Sequence, residues 1–427
     1  MKLNRGNYAS ALDFIMRREF FGVKLGLDNI SRFLDRIGNP QNQFKSIHVA
    51  GTNGKGSTCA ALDSILRSAG YKTGIFTSPH LADYRERVRV NGQQIGKPFV
   101  TEFVNNYRGL ITRHKITFFE TCTALAFSYF AYKKVDIAII EVGLGGRLDA
   151  TNTLNPILSI ITDISFDHTN LLGNTLTKIA YEKAGIIKKQ TPILTGILKS
   201  EPLREIKRIS YNRRAPFFSL KRSEFDNNGS PVDFNYYRDG LKLNNLKISL
   251  PGFHQIKNGA LSVRACELIK EQGFKIGNGD IRKGLAKIFW PGRFQIIKNP
   301  GKPTFILDVC HNPAGVKAFV QCFKELFPKR KADIIVGFVK NKDLKQSIKY
   351  LNSIARNVEV LRLNTYRTAE PEEIAVYFDT KKLVAFSESA VTSAKKLVES
   401  SKDDDIIIIC GSHYAVGEFI PAMNKIV

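Results

Sequence analysis

Acidic residues are scarce in this chain of 427: 39 Asp and Glu stand against 64 Lys and Arg, a formal net charge of +25. That excess favours anionic partners, from nucleotides and carboxylates to nucleic acid and membrane surfaces, without choosing among them. Cysteine is sparse and scattered. Cys59, Cys122, Cys266, Cys310, Cys322 and Cys410 never form a C-x-x-C pair, so neither a zinc site nor a disulfide framework is indicated. Buried, reduced thiols and a cytoplasmic setting are the expectation. Long hydrophobic runs are missing as well. The best candidate, "CTALAFSYFAY" from Cys122 to Tyr132, falls far short of the ~20 residues of a membrane helix. The N-terminus carries charges but no apolar signal core. No membrane partner is therefore expected. Nor are Arg and Lys clustered with interleaved aromatics, so the nucleic-acid-binding ATPase that the net charge alone would allow lacks its footprint, and no nucleic-acid partner is expected.

What is present is folded α/β sequence. Apolar residues make up 43%, and the length exceeds one ordinary core, so two domains are expected. "SIHVAG", "KTGIFTS", "VDIAIIEVG", "PILSIITDI" and "TPILTGI" are apolar runs bounded by turn residues. Such runs suit a parallel sheet covered on both faces. Residues 55–70 read as a helix. Residues 219–250 alternate in short pieces between turns, which predicts a small antiparallel addition to the first domain. Proline, glycine and a change of rhythm mark a linker at Trp290–Arg293. Beyond it "PTFILDV", "ADIIVGF", "NVEVLRL", "KLVAFS" and "DDIIIICG" alternate with helical stretches, predicting a Rossmann-like α/β domain. The expected division is 1–291, a P-loop-type mostly parallel sheet domain with its antiparallel addition, and 292–427. The charge runs "KRKAD" and "SKDDDI" read as solvated loops.

"GTNGKGST", Gly51–Thr58, lies between a predicted strand and a predicted helix. It departs from the G-x-x-x-x-G-K-[ST] spelling. Its physics is nevertheless that of a phosphate cradle: glycines let backbone N–H groups approach phosphate oxygens at a helix N-terminus. Gly54, Lys55, Gly56 and Ser57 are the candidate ATP-binding residues, with Lys55 reaching the terminal phosphates.

This loop is similar to that of the Mur ligase superfamily, and its short spelling to the folate branch. The resemblance continues in order through "TSPHL", "RERVRVNG", "TFFE", "EVGLGGRLDATN", "DHTNLLG", "EKAGI", "PGFHQIKN", "PGRFQ", "DVCHNPAG" and "CGSH". It implies an ATP-dependent acid–amino-acid ligase of folate biosynthesis, a monomer, joining L-glutamate to dihydropteroate and to reduced folates through an acyl phosphate. A branch member with folate polyglutamylation alone is the alternative. The resemblance further implies magnesium, two ions, with Ser78, Glu141 and His168 as metal positions. It implies Asn258, Arg293 and Asp308 at the nucleotide, and His311 and Ser412 at the incoming glutamate. For the pterin it implies Thr117, Phe118, Phe119, Glu120 and Leu148. In the family the position that matches Lys183 is carbamylated, and the resemblance implies Lys183, with Lys55 and His311, in catalysis.

Read without the resemblance, several of these residues are bland. Glu141 could be a solvated loop acid, His168 a capping neighbour, "TFFE" the onset of an apolar helix and Lys183 a solvent-facing helix lysine. The sequence also departs from the pattern at Cys310, where a small residue is commoner, and at Gly259, where alanine is usual.

Overall fold

The computed structural model describes residues 7–22, 26–227, 229–379 and 383–426. The first sheet contains β1 (Lys45–Ala50), β2 (Thr73–Phe76), β3 (Val88–Val90), β4 (Gln93–Gln94), β5 (Ile137–Glu141), β6 (Leu158–Ile161), β7 (Ile193–Thr195) and β8 (Phe217–Ser219). Its order is β4-β3-β2-β5-β1-β6-β7-β8. The pairings from β2 to β8 are parallel, whereas β3 and β4 join antiparallel. The unbroken apolar runs follow from burial on both faces. Ile137 and Ile139 pack with the helices Lys55–Ser68 and Phe253–Lys270, while Ala138 and Ile140 pack on the other side with the helix Phe118–Lys133.

The expected antiparallel addition is a three-stranded sheet of β9 (Phe225–Asp226), β10 (Asp233–Arg238) and β11 (Leu241–Lys247), ordered β11-β10-β9. Asp239-Gly240 turns β10 into β11 with φ of 43° and 83°. Positive φ at both turn residues matches the twist of a tight hairpin, and Asp-Gly supplies it cheaply. Phe234, Tyr236, Leu243 and Leu246 bury into the same core as Ile137 and Ile139, so this sheet belongs to the first.

The second large sheet contains β12 (Gln295–Ile297), β13 (Thr304–Asp308), β14 (Ala332–Val336), β15 (Ala355–Leu361), β16 (Leu383–Ser387) and β17 (Ile406–Cys410), ordered β12-β13-β17-β14-β15-β16. It is parallel except for the edge strand β12. Ile306, Ile334 and Ile408 pack on one face and Phe305, Leu307, Ile407 and Ile409 on the other, the Rossmann-like arrangement expected. The two halves dock closely. Leu81 of the first packs against the core of the second, and a Cβ on Gly417 would lie 2.1 Å from the Leu81 carbonyl oxygen.

The charge runs lie in exposed loops, as expected: Lys329, Arg330, Lys331, Lys402, Asp403 and Asp404 are all exposed. Arg330 pairs with Asp404, and Arg356 bridges Asp333 and Asp405. Asp333 is buried. Asp333, inside β14, is the charged member of the two runs that departs most from that expectation. All six cysteines are buried and unbridged. No helix among the described residues is long and apolar enough to cross a membrane.

Candidate active site

The carboxyl-end edges of both large sheets face one cleft, where ligands of open α/β sheets bind. A cavity of about 390 Å³ there is lined by Gly51–Ser57, by Glu141 after β5, and by Asp163–His168 residues after β6. Lys183, Asn258, Arg293, Asp308, His311 and His413 complete it. A second cavity of about 310 Å³ adjoins it and includes Arg89 and Trp290. The two share Gly56, Ser78, Pro79, Glu141, Arg293 and His413.

The loop after β1 is held from β6. Thr52 N donates to the Asp163 carbonyl at 2.8 Å, Thr52 Oγ1 to the Ser165 carbonyl at 3.0 Å, and Thr162 Oγ1 to the Asn53 carbonyl at 2.7 Å. Gly54 has φ of +84°, and a Cβ there would meet Asn258 Oδ1 at 2.7 Å. Only glycine satisfies both conditions. The helix Lys55–Ser68 then begins with its N–H groups aimed into the cavity mouth, a ready-made anion site. Ser57 lines the cavity, whereas Thr58 is fully buried.

Lys55 Nζ lies 3.4 Å from the Thr52 carbonyl and 3.9 Å from Glu141 Oε1. Glu141 is buried, and burial raises its pKa against the opposing charge of Lys55 and the Ser78 N–H, which donates to Oε2 at 3.1 Å. Its Oε1 has only the distant Lys55 for a partner among these contacts. An under-coordinated buried carboxylate of this kind fits a hard divalent cation, which takes few protein ligands and completes its shell with phosphate oxygens and water. No group of three or more His, Cys, Asp or Glu side chains is gathered for a metal among the described residues. Of the expected metal positions, Glu141 and Ser78 are in direct contact through the Ser78 N–H. His168 lines the same cavity with φ of 50°, at the start of the short helix Thr169–Leu172.

Lys183 overturns its bland reading. It is 5% exposed, and Nζ donates to the Gly51 carbonyl at 2.9 Å. Burial, reinforced by the nearby Lys55 charge, lowers its pKa to about 7. His254, His311 and His413 are all lowered by burial, and Lys55, Lys257 and Arg293 are the other basic side chains that line the cavity beside Lys183.

The remaining predicted residues divide. Asn258 and Arg293 line the first cavity. Asp308 does too, but both its oxygens are engaged: Oδ2 accepts Phe294 N and Oδ1 accepts Cys310 N, each at 2.8 Å. Ser412 does not line it. Its hydroxyl caps the helix His413–Phe419 by accepting Ala415 N at 3.1 Å, and the next residue, His413, is the one that faces the ligand space. Thr117, Phe118, Phe119, Glu120 and Leu148 line neither cavity. Thr117 and Glu120 form a capping box on the helix Phe118–Lys133, and Glu120 also receives Asn29 Nδ2. Phe118 lies beneath the Arg87 guanidinium, and Phe119 packs on Phe76 and against Gly143. The two departures from the family pattern have packing surroundings. Gly259 lies under Phe234 of the small sheet and Ile248 just beyond it, and Cys310 sits beside Cys410. Asp167, Asn53, Asn312, Lys342 and His254 escaped the sequence reading.

A phosphate loop facing a second Rossmann-like sheet across a shared cleft defines a nucleotide-dependent ligase of two α/β halves. The family model for the Mur ligase middle domain matches residues 49–266, and that for the Mur ligase glutamate ligase domain matches residues 292–413. The chain is 36% identical over 426 residues to the dihydrofolate synthase/folylpolyglutamate synthase of Bacillus subtilis, covering 96% of this chain and 98% of that one. It is 31% identical over 419 residues to the Escherichia coli enzyme of the same description, covering 97% and 95%. Among solved structures, E. coli FolC in complex with DHPP and ADP superposes with a TM-score of 0.86 at 29% identity, covering 98% of each chain. A bifunctional folylpolyglutamate synthase/dihydrofolate synthase with Mn, AMPPNP and L-glutamate bound gives 0.87 at 27%, again covering 98% of each. The chain belongs to the Mur ligase family, in its folate branch, and is an ATP-dependent acid–amino-acid ligase.

Proposed function

We propose that the protein joins L-glutamate to 7,8-dihydropteroate and to the γ-carboxylate of folates, with residues 1–291 supplying the ATP half and 292–427 the amino-acid half. The observation that carries this reading is the shared boundary of the two cavities. Glu141, Ser78 and Arg293 belong to both, so a terminal phosphate in one and a carboxylate in the other would meet there. Transfer of the γ-phosphoryl group to the acceptor carboxylate gives ADP and an acyl phosphate. The amine of glutamate then attacks the carbonyl carbon, loses a proton, and the tetrahedral intermediate expels phosphate as the amide forms. Lys55 and Arg293 offset the phosphoryl charge in place, which is the main contribution a protein makes to such transfers. Closure of the two halves excludes the water that would hydrolyse an acyl phosphate. Magnesium, held through Glu141 and Ser78 with His168 nearby, would supply further charge neutralisation. The buried Lys183 amine, neutral in part near pH 7, suits carbamylation by carbon dioxide, which would turn a repelling cation into an oxygen donor.

Phosphate release from purified protein tests the reading. It should require ATP, magnesium, L-glutamate and a pteroate or folate together; AMP and pyrophosphate as products would instead indicate adenylation. One observation favours a second reading, folate polyglutamylation alone: the side chains of Thr117 and Glu120 are already committed to each other's backbone. Activity on tetrahydrofolate but not on dihydropteroate would select it.

A further inference from the structure

Asp167 follows β6 in the first half of the molecule, yet its close side-chain partners come from the second. Oδ1 accepts Lys342 Nζ at 2.6 Å, while Oδ2 accepts Asn312 Nδ2 at 3.1 Å and faces His311 Nε2 at 3.2 Å. The Lys342 and Asp167 side chains are 7% and 9% exposed. Burial alone would raise the Asp167 pKa, but the His311 hydrogen bond and the Lys342 charge hold its carboxyl well below the usual range.

The arrangement reaches both reactive halves. Asn312 Nδ2 also donates to Asn53 Oδ1 of the phosphate loop at 3.0 Å, and Asn312 Oδ1 caps the helix Pro313–Leu326 by accepting Gly315 N at 2.9 Å. The start of that helix is therefore fixed over the phosphate loop. His311 Nδ1 lies 3.2 Å from the Val309 carbonyl; a neutral imidazole has one N–H to give, and with that proton on Nε2 Asp167 holds the ring from across the cleft. A desolvated ion pair adds little net stability, because desolvation offsets the attraction. It does discriminate sharply between registers, since any slip leaves two buried charges unpaired.

We propose that Asp167 is a positioning residue: it orients His311 from across the cleft, and its ion pair with Lys342 sets the register of the second half over the phosphate loop. The kinetic arm of the test rests on the proposed glutamate ligation; the fluorescence arm does not. Asp167→Asn and Lys342→Met should each raise KM for L-glutamate by about tenfold or more, the scale of breaking one desolvated charge pair. ADP affinity should stay within about threefold, because the loop's own tethers to β6 remain. Removing both charges together should be no worse than the more damaging single change, and Lys342→Arg should recover part of the loss. Trp290, the only tryptophan in the chain, lines the second cavity between the halves. Its quenching by acrylamide, read without any substrate, should increase in both single variants. An unchanged glutamate KM in the two single variants overturns the positioning role. Losses that add in the double variant, with ADP affinity falling in step, overturn it in favour of general destabilisation. Wild-type protein inactive on every pterin and folate acceptor would sink the proposed function, and the quenching comparison would still decide whether Asp167 and Lys342 hold the register.

Discussion

Glu141 and Asp308 occupy matching places in the two large sheets. Each is the last residue of a parallel strand, each is buried, each faces the same cavity, and burial raises the pKa of each. They differ in how many hydrogen bonds they already accept. Glu141 takes one backbone N–H and leaves an oxygen with only Lys55 at 3.9 Å, whereas Asp308 takes two backbone N–H groups at 2.8 Å. The first carboxylate is still available to a ligand. The second fastens the linker, through Phe294, to the loop that carries His311. Position and burial single out both residues, and the unfilled acceptor separates their tasks.

The largest expected effect lies on the Glu141 side. Lys55→Ala should slow turnover by roughly 10²-fold or more, the scale of losing one preorganised charge donor, while circular dichroism reports an intact fold. Near-normal turnover would reduce the loop to a tight turn.

The direct comparison is Glu141→Gln against Asp308→Asn. Glu141→Gln should lose most turnover yet melt no lower than wild type at neutral pH. The sign follows from its raised pKa. The burden of ionising the buried carboxyl is absent below the unfolded pKa and grows as pH rises towards the folded one, so its removal stabilises at pH 7. Asp308→Asn should instead cost about 1–3 kcal/mol of stability, because an amide nitrogen faces one of the two N–H donors. Thermal melts with paired activity assays decide it. Equal stability losses in the two variants would break the comparison.

Lys183 sharpens it further. Lys183→Ala should lose activity with partial return on adding a small carboxylate, and Lys183→Arg should not recover, since guanidinium cannot be carboxylated. A fully active Lys183→Arg enzyme would remove the carbamate from the reading. Between about pH 7 and the ordinary lysine pKa of 10.5, the unfolded chain holds a proton that the native amine lacks. Native stability should therefore rise with pH across that window, and Lys183→Met should flatten the rise in urea titrations of the unmodified protein.

The smallest effect concerns "TFFE". Phe118→Ala should weaken dihydropteroate use more than folate use, if the stretch lines a pterin pocket that forms with substrate. Equal changes in both KM values would leave Phe118 as packing beneath Arg87.

The phosphate half of the site was legible because its residues are local: Gly51–Ser57, Glu141 at a strand end and the apolar runs around them are patterns of neighbours. Asp167, Asn312 and Lys342 were not, since their roles, like the Asn53 side chain's bond to Asn312, exist only once two sheets face each other. Two readings missed a signal that was present. The S/T-x-x-E spacing of Thr117 and Glu120 is that of a capping box, and it announces that both side chains serve the helix start. Ser412 likewise stands where a helix cap is wanted, leaving its neighbour His413 to face the ligand space. Lys183 read as exposed because a lysine on a short helix between polar residues has no local sign of burial; the covering backbone at Gly51 comes from 132 positions away.

The docking of Leu81 against Gly417 limits how this enzyme can vary. The carbonyl of one half occupies the place where a side chain would begin on the other. A methyl group at that point would act as a shim, propping the halves apart from a glycine that lines neither cavity. The fit of the two reactive edges thus depends on a hydrogen atom at a residue with no chemistry of its own, and a screen confined to cavity-lining positions would pass it by.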